Sequence, residues 1–235
     1  MKPVALGLAA IFLAGAAMAQ EGGSQSARPN VLTAQEKAAG WKLLFDGRTT
    51  DGWREFKKTG IGPGWRVVDG VLSLVDPKQA SDIITTDKYA DFELIFDWRI
   101  SKNGNSGVYY HVIEAGAHGY ETGPEYQLLD NGHGEPPLEQ AASAFGLYAP
   151  SKDVTRPVGE FNHSRLVVLH DHVEHWLNGV KVTEYQIGSA DFKARVAATK
   201  FHNWPLFATA PTGYIALQDH GDVVAFRNIK IRPLD

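Results

Sequence analysis

The 235 residues contain no cysteine, so the fold must hold without disulfides and no lipid-modified cysteine can anchor it. A surplus of positive charge is missing as well. The net charge is -4, which leaves no basic footprint and sets nucleic acid aside as a partner. There is no G-x-S-x-G elbow, no H-E-x-x-H, no P-loop and no dinucleotide fingerprint, so those chemistries and an organic cofactor have no support. Gly104-Asn105-Ser106-Gly107 is too short to cradle a phosphate. Neither an internal repeat nor a βαβ alternation is present. The main apolar run, Val4 to Ala17, is shorter than the ~20 residues of a membrane-spanning helix, so membrane insertion is not expected.

What is present points to export and to β-structure. Lys2, the apolar run and Ala17-Met18-Ala19 form a secretory signal peptide over 1–19, to be cut after Ala19. The periplasm is the first expected address and full secretion the second. Residues 20–39 read as a flexible leader with one short helix, Thr33 as its N-cap and Glu36 in the capping-box position. Residues 40–235 form one domain. With 43% hydrophobic residues this length can bury a substantial core.

DFELIFDWRI places Phe92, Leu94, Phe96, Trp98 and Ile100 on one face and Glu93, Asp97 and Arg99 on the other, the period of a strand. RLVVLHDHVEHWLNGVKVTEYQI divides into three strands, the last two joined by Asn178-Gly179, a pair suited to a type I′ turn. GYIALQD and VVAFRNIKIRP read as a closing hairpin around Gly221. The expected fold is all-β, an antiparallel sandwich of jelly-roll form. Between about Asn131 and Arg156 the pattern lapses into a long loop of functional character.

Two strands could carry chemistry. In GPEYQLLDNGHG, Glu125 and Gln127 share one face, with Asp130 just beyond. In NSGVYYHVI, Asn105, Tyr109 and His111 share one face, opposite Val108, Tyr110 and Val112. Side by side they would build a polar platform with aromatic edges, suited to carbohydrate. The bland alternative is an ordinary solvated sheet face. His170, His172 and His175 read as a solvated hairpin rather than a metal site. Asp219 and His220 could equally be turn formers before Gly221.

LLFDGRTTDGW, GWRVVDGVL, DFELIFDWRISKNGNSGVYYHV, EYQLLDN, GEFNHSRLVV, VEHWLNGVKV and IALQDHGDVVAFRNIKIRPL occur in order from about Gly40 to Leu234. Together they resemble the 3-keto-disaccharide hydrolase family. The resemblance implies a concanavalin A-like sandwich acting on glycosides whose C3 hydroxyl has been oxidised to a ketone. The ketone acidifies the C2 hydrogen, so a base can remove it, the C1 substituent leaves, and water adds to the enone. Such a site needs a base, an electrophile for the enolate oxygen, and an acid for the leaving group. The expected base is Glu125 or His111, with Lys200 and His220 as electrophilic or acid groups. Expected substrate contacts are Asn105, Tyr109, Gln127, Asp130, Tyr148 and Trp204, with Asp130 and Gln127 as alternative metal contacts. A divalent metal ion is a candidate cofactor without assigned ligands. A lectin-like binding module and a two-carboxylate glycosidase are the competing functions.

Overall fold

The computed structural model describes residues 28–234; the expected signal peptide and most of the leader lie outside the described residues. Helix α1 (Ala34–Ala38) begins at Thr33, whose hydroxyl accepts from the Glu36 N–H while the Glu36 carboxylate accepts from the Thr33 N–H. That reciprocal pair satisfies two N–H groups a helix start leaves open. No helix among the described residues is long and apolar enough to cross a membrane.

Thirteen strands follow among the described residues. The first five are β1 (Lys42–Leu43), β2 (Trp53–Glu55), β3 (Trp65–Val68), β4 (Val71–Leu74) and β5 (Ile83–Thr85). Then come β6 (Phe92–Ile100), β7 (Asn105–Val112), β8 (Glu125–Leu129) and β9 (Asn162–Leu169). The last four are β10 (His172–Leu177), β11 (Val180–Gln186), β12 (Tyr214–Leu217) and β13 (Val224–Pro233). They form two antiparallel sheets, a jelly-roll sandwich. The larger runs β11-β10-β9-β6-β13-β4-β3 with β1 beside β13, and the smaller runs β2-β5-β12-β7-β8.

The alternation seen in sequence places the core. Phe92, Leu94, Phe96, Trp98 and Ile100 turn inward from the larger sheet and are buried. Val108, Tyr110, Tyr126, Leu128, Ile215 and Leu217 meet them from the smaller one. Phe96 packs edge-on against Tyr126 at 5.5 Å, a favoured aromatic geometry. Two of the buried rings satisfy their polar tips: the Trp98 N–H donates to Ser164 Oγ at 2.9 Å, and the Tyr126 hydroxyl donates to the Trp176 carbonyl at 3.0 Å. On the opposite face of β6, Glu93 pairs with Arg165 and Arg232, while Asp97 meets His163 at 2.7 Å and Arg227 at 3.2 Å.

Three expectations need correction. The closing pair is no hairpin, because β12 pairs β5 and β7 in the smaller sheet whereas β13 pairs β4 and β6 in the larger. The chain crosses between sheets at Gly221. His175 is not solvated: it shares the inward face of β10 with Val173 and Leu177 and is fully buried. Burial pushes its pKa down to about 4, with the Ala142 carbonyl, 3.0 Å from Nδ1, opposing the shift. The third correction concerns β7. Tyr214 pairs with Val112 but Ala216 pairs with Tyr109, so one extra residue is inserted and His111 takes φ 53°. The bulge turns His111 off the Tyr109 face. Its ring lies edge-on to Phe92 at 6.0 Å, with Nε2 2.7 Å from the Ala90 carbonyl.

Candidate active site

The outward face of the smaller sheet carries the site. Antiparallel pairing sets Tyr109 opposite Glu125, Gly107 opposite Gln127 and Asn105 opposite Leu129. The period of two puts Asn105, Tyr109, Glu125 and Gln127 on that face. β12 continues it, since Gln218 follows Ala216 in the same alternation, and its N–H donates to the Gly107 carbonyl at 2.9 Å. The side chains of Asn105, Tyr109, Glu125, Gln127 and Gln218 line a hollow of about 140 Å³. Its rim is Tyr120, Phe145, Lys200 and His220.

A glycine makes room for the central acid. A Cβ on Gly107 would stand 2.1 Å from Glu125 Oε1, so only glycine lets the carboxyl lie across the β7 backbone. Removal from water pushes the Glu125 pKa up to about 8; Lys200 opposes the shift and Asp82 adds to it. Tyr109 is fully buried, its pKa raised well above 10 by burial, and its hydroxyl accepts from the Gln218 amide. Three buried amide oxygens on lining residues, Asn105 Oδ1, Gln127 Oε1 and Gln218 Oε1, have no hydrogen-bond partner among the described residues.

The sequence-predicted residues divide accordingly. Glu125, Gln127, Asn105, Tyr109, Lys200 and His220 meet at the hollow, the last two as exposed residues. Lys200 starts a 3-10 turn, Lys200–Asn203, and its ammonium sits 4.7 Å over the Phe145 ring. His111, Asp130, Tyr148 and Trp204 do not line it. Asp130 caps a turn, accepting from Gly132 N–H at 3.0 Å and Asn103 N–H at 2.9 Å. Tyr148 stacks on Tyr185 at 4.8 Å and donates to Asp191 at 2.7 Å. Trp204 stands beside the hollow, 5.2 Å from Tyr120.

Sequence reasoning missed Gln218, Tyr120, Phe145 and Asp82. Gln218 was findable, because Tyr214, Ala216 and Gln218 alternate onto one face. Tyr120 and Phe145 sit in irregular segments where no periodicity operates. Asp82 precedes β5 and accepts from the Asp219 N–H at 2.9 Å. Burial, and Asp219 to a lesser degree, push its pKa up to about 6 against that hydrogen bond.

Among the described residues, one cluster has metal-ligand character outside the hollow: His172, Glu174 and Glu184 on β10 and β11. Lys181 already holds both carboxylates, at 3.0 and 2.8 Å.

Fold and hollow thus define an antiparallel β-sandwich whose polar hollow, built around one desolvated carboxyl, lies on the outer face of its smaller sheet. Residues 40–232 match the 3-keto-alpha-glucoside-1,2-lyase-like domain, and the chain belongs to that family. A relative from Bacteroides thetaiotaomicron, named 3-keto-disaccharide hydrolase, is 31% identical over 84% of this chain and 80% of its own. A crystal structure from Parabacteroides distasonis, of a protein designated a candidate glycosyl hydrolase, superposes with a TM-score of 0.82. It is 38% identical and covers 88% of this chain and 100% of its own. A second structure from that organism, similarly designated, is 28% identical with a TM-score of 0.63 over 83% of this chain and 99% of its own.

Proposed function

We propose that the protein cleaves 3-keto-glycosides by C2 proton abstraction, elimination and hydration. The observation that carries this reading is Glu125, a carboxyl pushed up to about 8 inside a hollow edged by unpartnered amide oxygens. An ordinary carboxylate is too weak a base to take a carbon-bound proton readily; one titrating near 8 is much stronger, and its basic form is still populated near neutrality.

Glu125 takes the C2 proton of the bound ketone ring, and the electrons pass to the C3 oxygen. As the enolate collapses the C1–O bond breaks, and the leaving oxygen takes a proton from His220 or Lys200 on the rim. This leaves a C1=C2 double bond conjugated to the C3 ketone. Water then adds its hydroxyl to C1 and gives its remaining proton to the rim group that protonated the leaving oxygen, while Glu125, its proton exchanged with solvent, protonates C2. Asn105, Gln127 and Gln218 accept from sugar hydroxyls and hold the ring for both halves.

A divalent cation fits the same donors. Amide and carboxyl oxygens are the hard ligands that Mg²⁺, Ca²⁺ or Mn²⁺ prefer, and Asn105 Oδ1, Gln127 Oε1 and Gln218 Oε1 are the ones without a partner. Bound there, such an ion would supply electrophilic pull on the ketone oxygen. Export, with removal of residues 1–19, completes the proposal.

A second reading has one observation behind it. Asp82 is another raised carboxyl, coupled to Glu125, and paired carboxyls are what direct glycoside cleavage uses. Asp82 is engaged by Asp219 and does not line the hollow, which places direct cleavage second. Incubating the protein with 3-keto and unoxidised forms of one disaccharide, with and without chelator, separates the two. Cleavage of the ketone form alone supports elimination. Cleavage of the unoxidised sugar supports the second reading, and loss of activity with chelator identifies a required cation.

A further inference from the structure

The hollow has an aromatic flank that the chemistry at Glu125 does not use. Tyr120 lines the hollow, stacks on His118 at 4.9 Å with rings 9° from parallel, and meets the Trp204 ring at 5.2 Å. Trp204 is half-buried. Two short turns hold these rings. Tyr120 sits in the 3-10 turn Gly119–Glu121, and Trp204 closes the turn Lys200–Asn203 that also presents Lys200. The Ala208 N–H donates to the Thr122 carbonyl at 2.8 Å, tying the two segments together. Thr122 is itself buried, with its hydroxyl 3.1 Å from the Ile113 N–H.

A rigid aromatic corner, partly open to solvent, suits a ring with one apolar face and polar edges. The ketone-bearing ring belongs beside Glu125 and the amide oxygens. What remains for the flank is the group attached at C1. We infer that Trp204, with Tyr120 as the wall it shares with the hollow, is the subsite for the leaving group, and that it selects leaving groups presenting a flat ring face, a second pyranose or an aryl group. This inference rests on the 3-keto-glycoside reading.

The test compares three 3-keto-glucosides on the full chain: a disaccharide, a phenyl glycoside and a methyl glycoside. Trp204→Ala lowers kcat/KM about tenfold or more on the disaccharide, the phenyl glycoside or both, as loss of one stacking contact should, and leaves the methyl glycoside within about twofold. Which of the two ring substrates suffers more identifies the preferred leaving group. Trp204→Phe recovers most of the loss, and this conservative variant guards against a fold that merely loosened. An equal fall on the methyl glycoside, or no fall on either ring substrate, overturns the inference. A wild-type protein inactive on all three sinks the function instead. The subsite is then read by titrating unoxidised phenyl glucoside into the protein and following tryptophan fluorescence. A change present in the wild type and missing in Trp204→Phe supports Trp204 as the contact, and no change in the wild type refutes it.

Discussion

Replacing Glu125 by glutamine keeps the shape of the side chain and removes its proton chemistry. Activity on a 3-keto-disaccharide should fall by roughly 10²–10⁴-fold, the usual worth of a positioned base, with KM changed far less. The same substitution should stabilise the fold. An unfolded glutamate titrates near 4.5, the folded one near 8. Between those values the native state holds a proton that the unfolded state has released, so stability is full below pH 4.5 and declines as pH rises towards 8. At pH 7 the decline covers about 2.5 pH units at ~1.4 kcal/mol each, an upper bound of ~3.5 kcal/mol for a residue not wholly enclosed. Glutamine escapes that cost. Thermal melts of both proteins from pH 4 to 9 should show no gain at pH 4 and a gain of up to roughly 5–10 °C at pH 7. A variant that stays active, or whose stability difference does not change with pH, refutes the assignment of Glu125 as a desolvated base.

Three further outcomes follow from the same contacts. The wild-type kcat/KM should rise with pH through about 8 if Glu125 acts as base; a profile falling through that value would make it the acid. Gln218→Leu removes a free amide oxygen and the donor to the Tyr109 hydroxyl, so KM should rise about tenfold with the fold retained by circular dichroism. His175 is held neutral down to about 4, so the wild type should lose stability as pH falls from 6.5 towards 4. His175→Leu should flatten that slope in acid melts, because Thr183 still donates to the Ala142 carbonyl.

Much of the architecture was legible because it depends on nearest neighbours. The five inward residues of β6 and the Asn178-Gly179 turn, at φ 48° and 83°, announce themselves locally. So did the shared face of Asn105, Tyr109, Glu125 and Gln127, since side-chain direction follows from the strand period alone. The failures have physical causes of other kinds. Gly221 marks a reversal whether the chain turns back into its own sheet or crosses to the other, so composition could not place β12. The bulge at His111 is set by pairing with β12, a strand about a hundred residues away, and one inserted residue moves a side chain to another face. Tyr120 reaches the hollow, and Asp82 the surroundings of Glu125, through tertiary packing. His175 is different: Val173, His175 and Leu177 alternate openly, and an imidazole among them should have been read as core.

Proton exchange at C2 tests the central claim most directly. Incubating the protein in deuterium oxide with a 3-keto-glycoside, and following C2 by NMR, should show deuterium at C2 of the released 3-keto sugar, with Glu125→Gln abolishing both exchange and release. Glycoside cleavage that leaves the C2 hydrogen in place would contradict it.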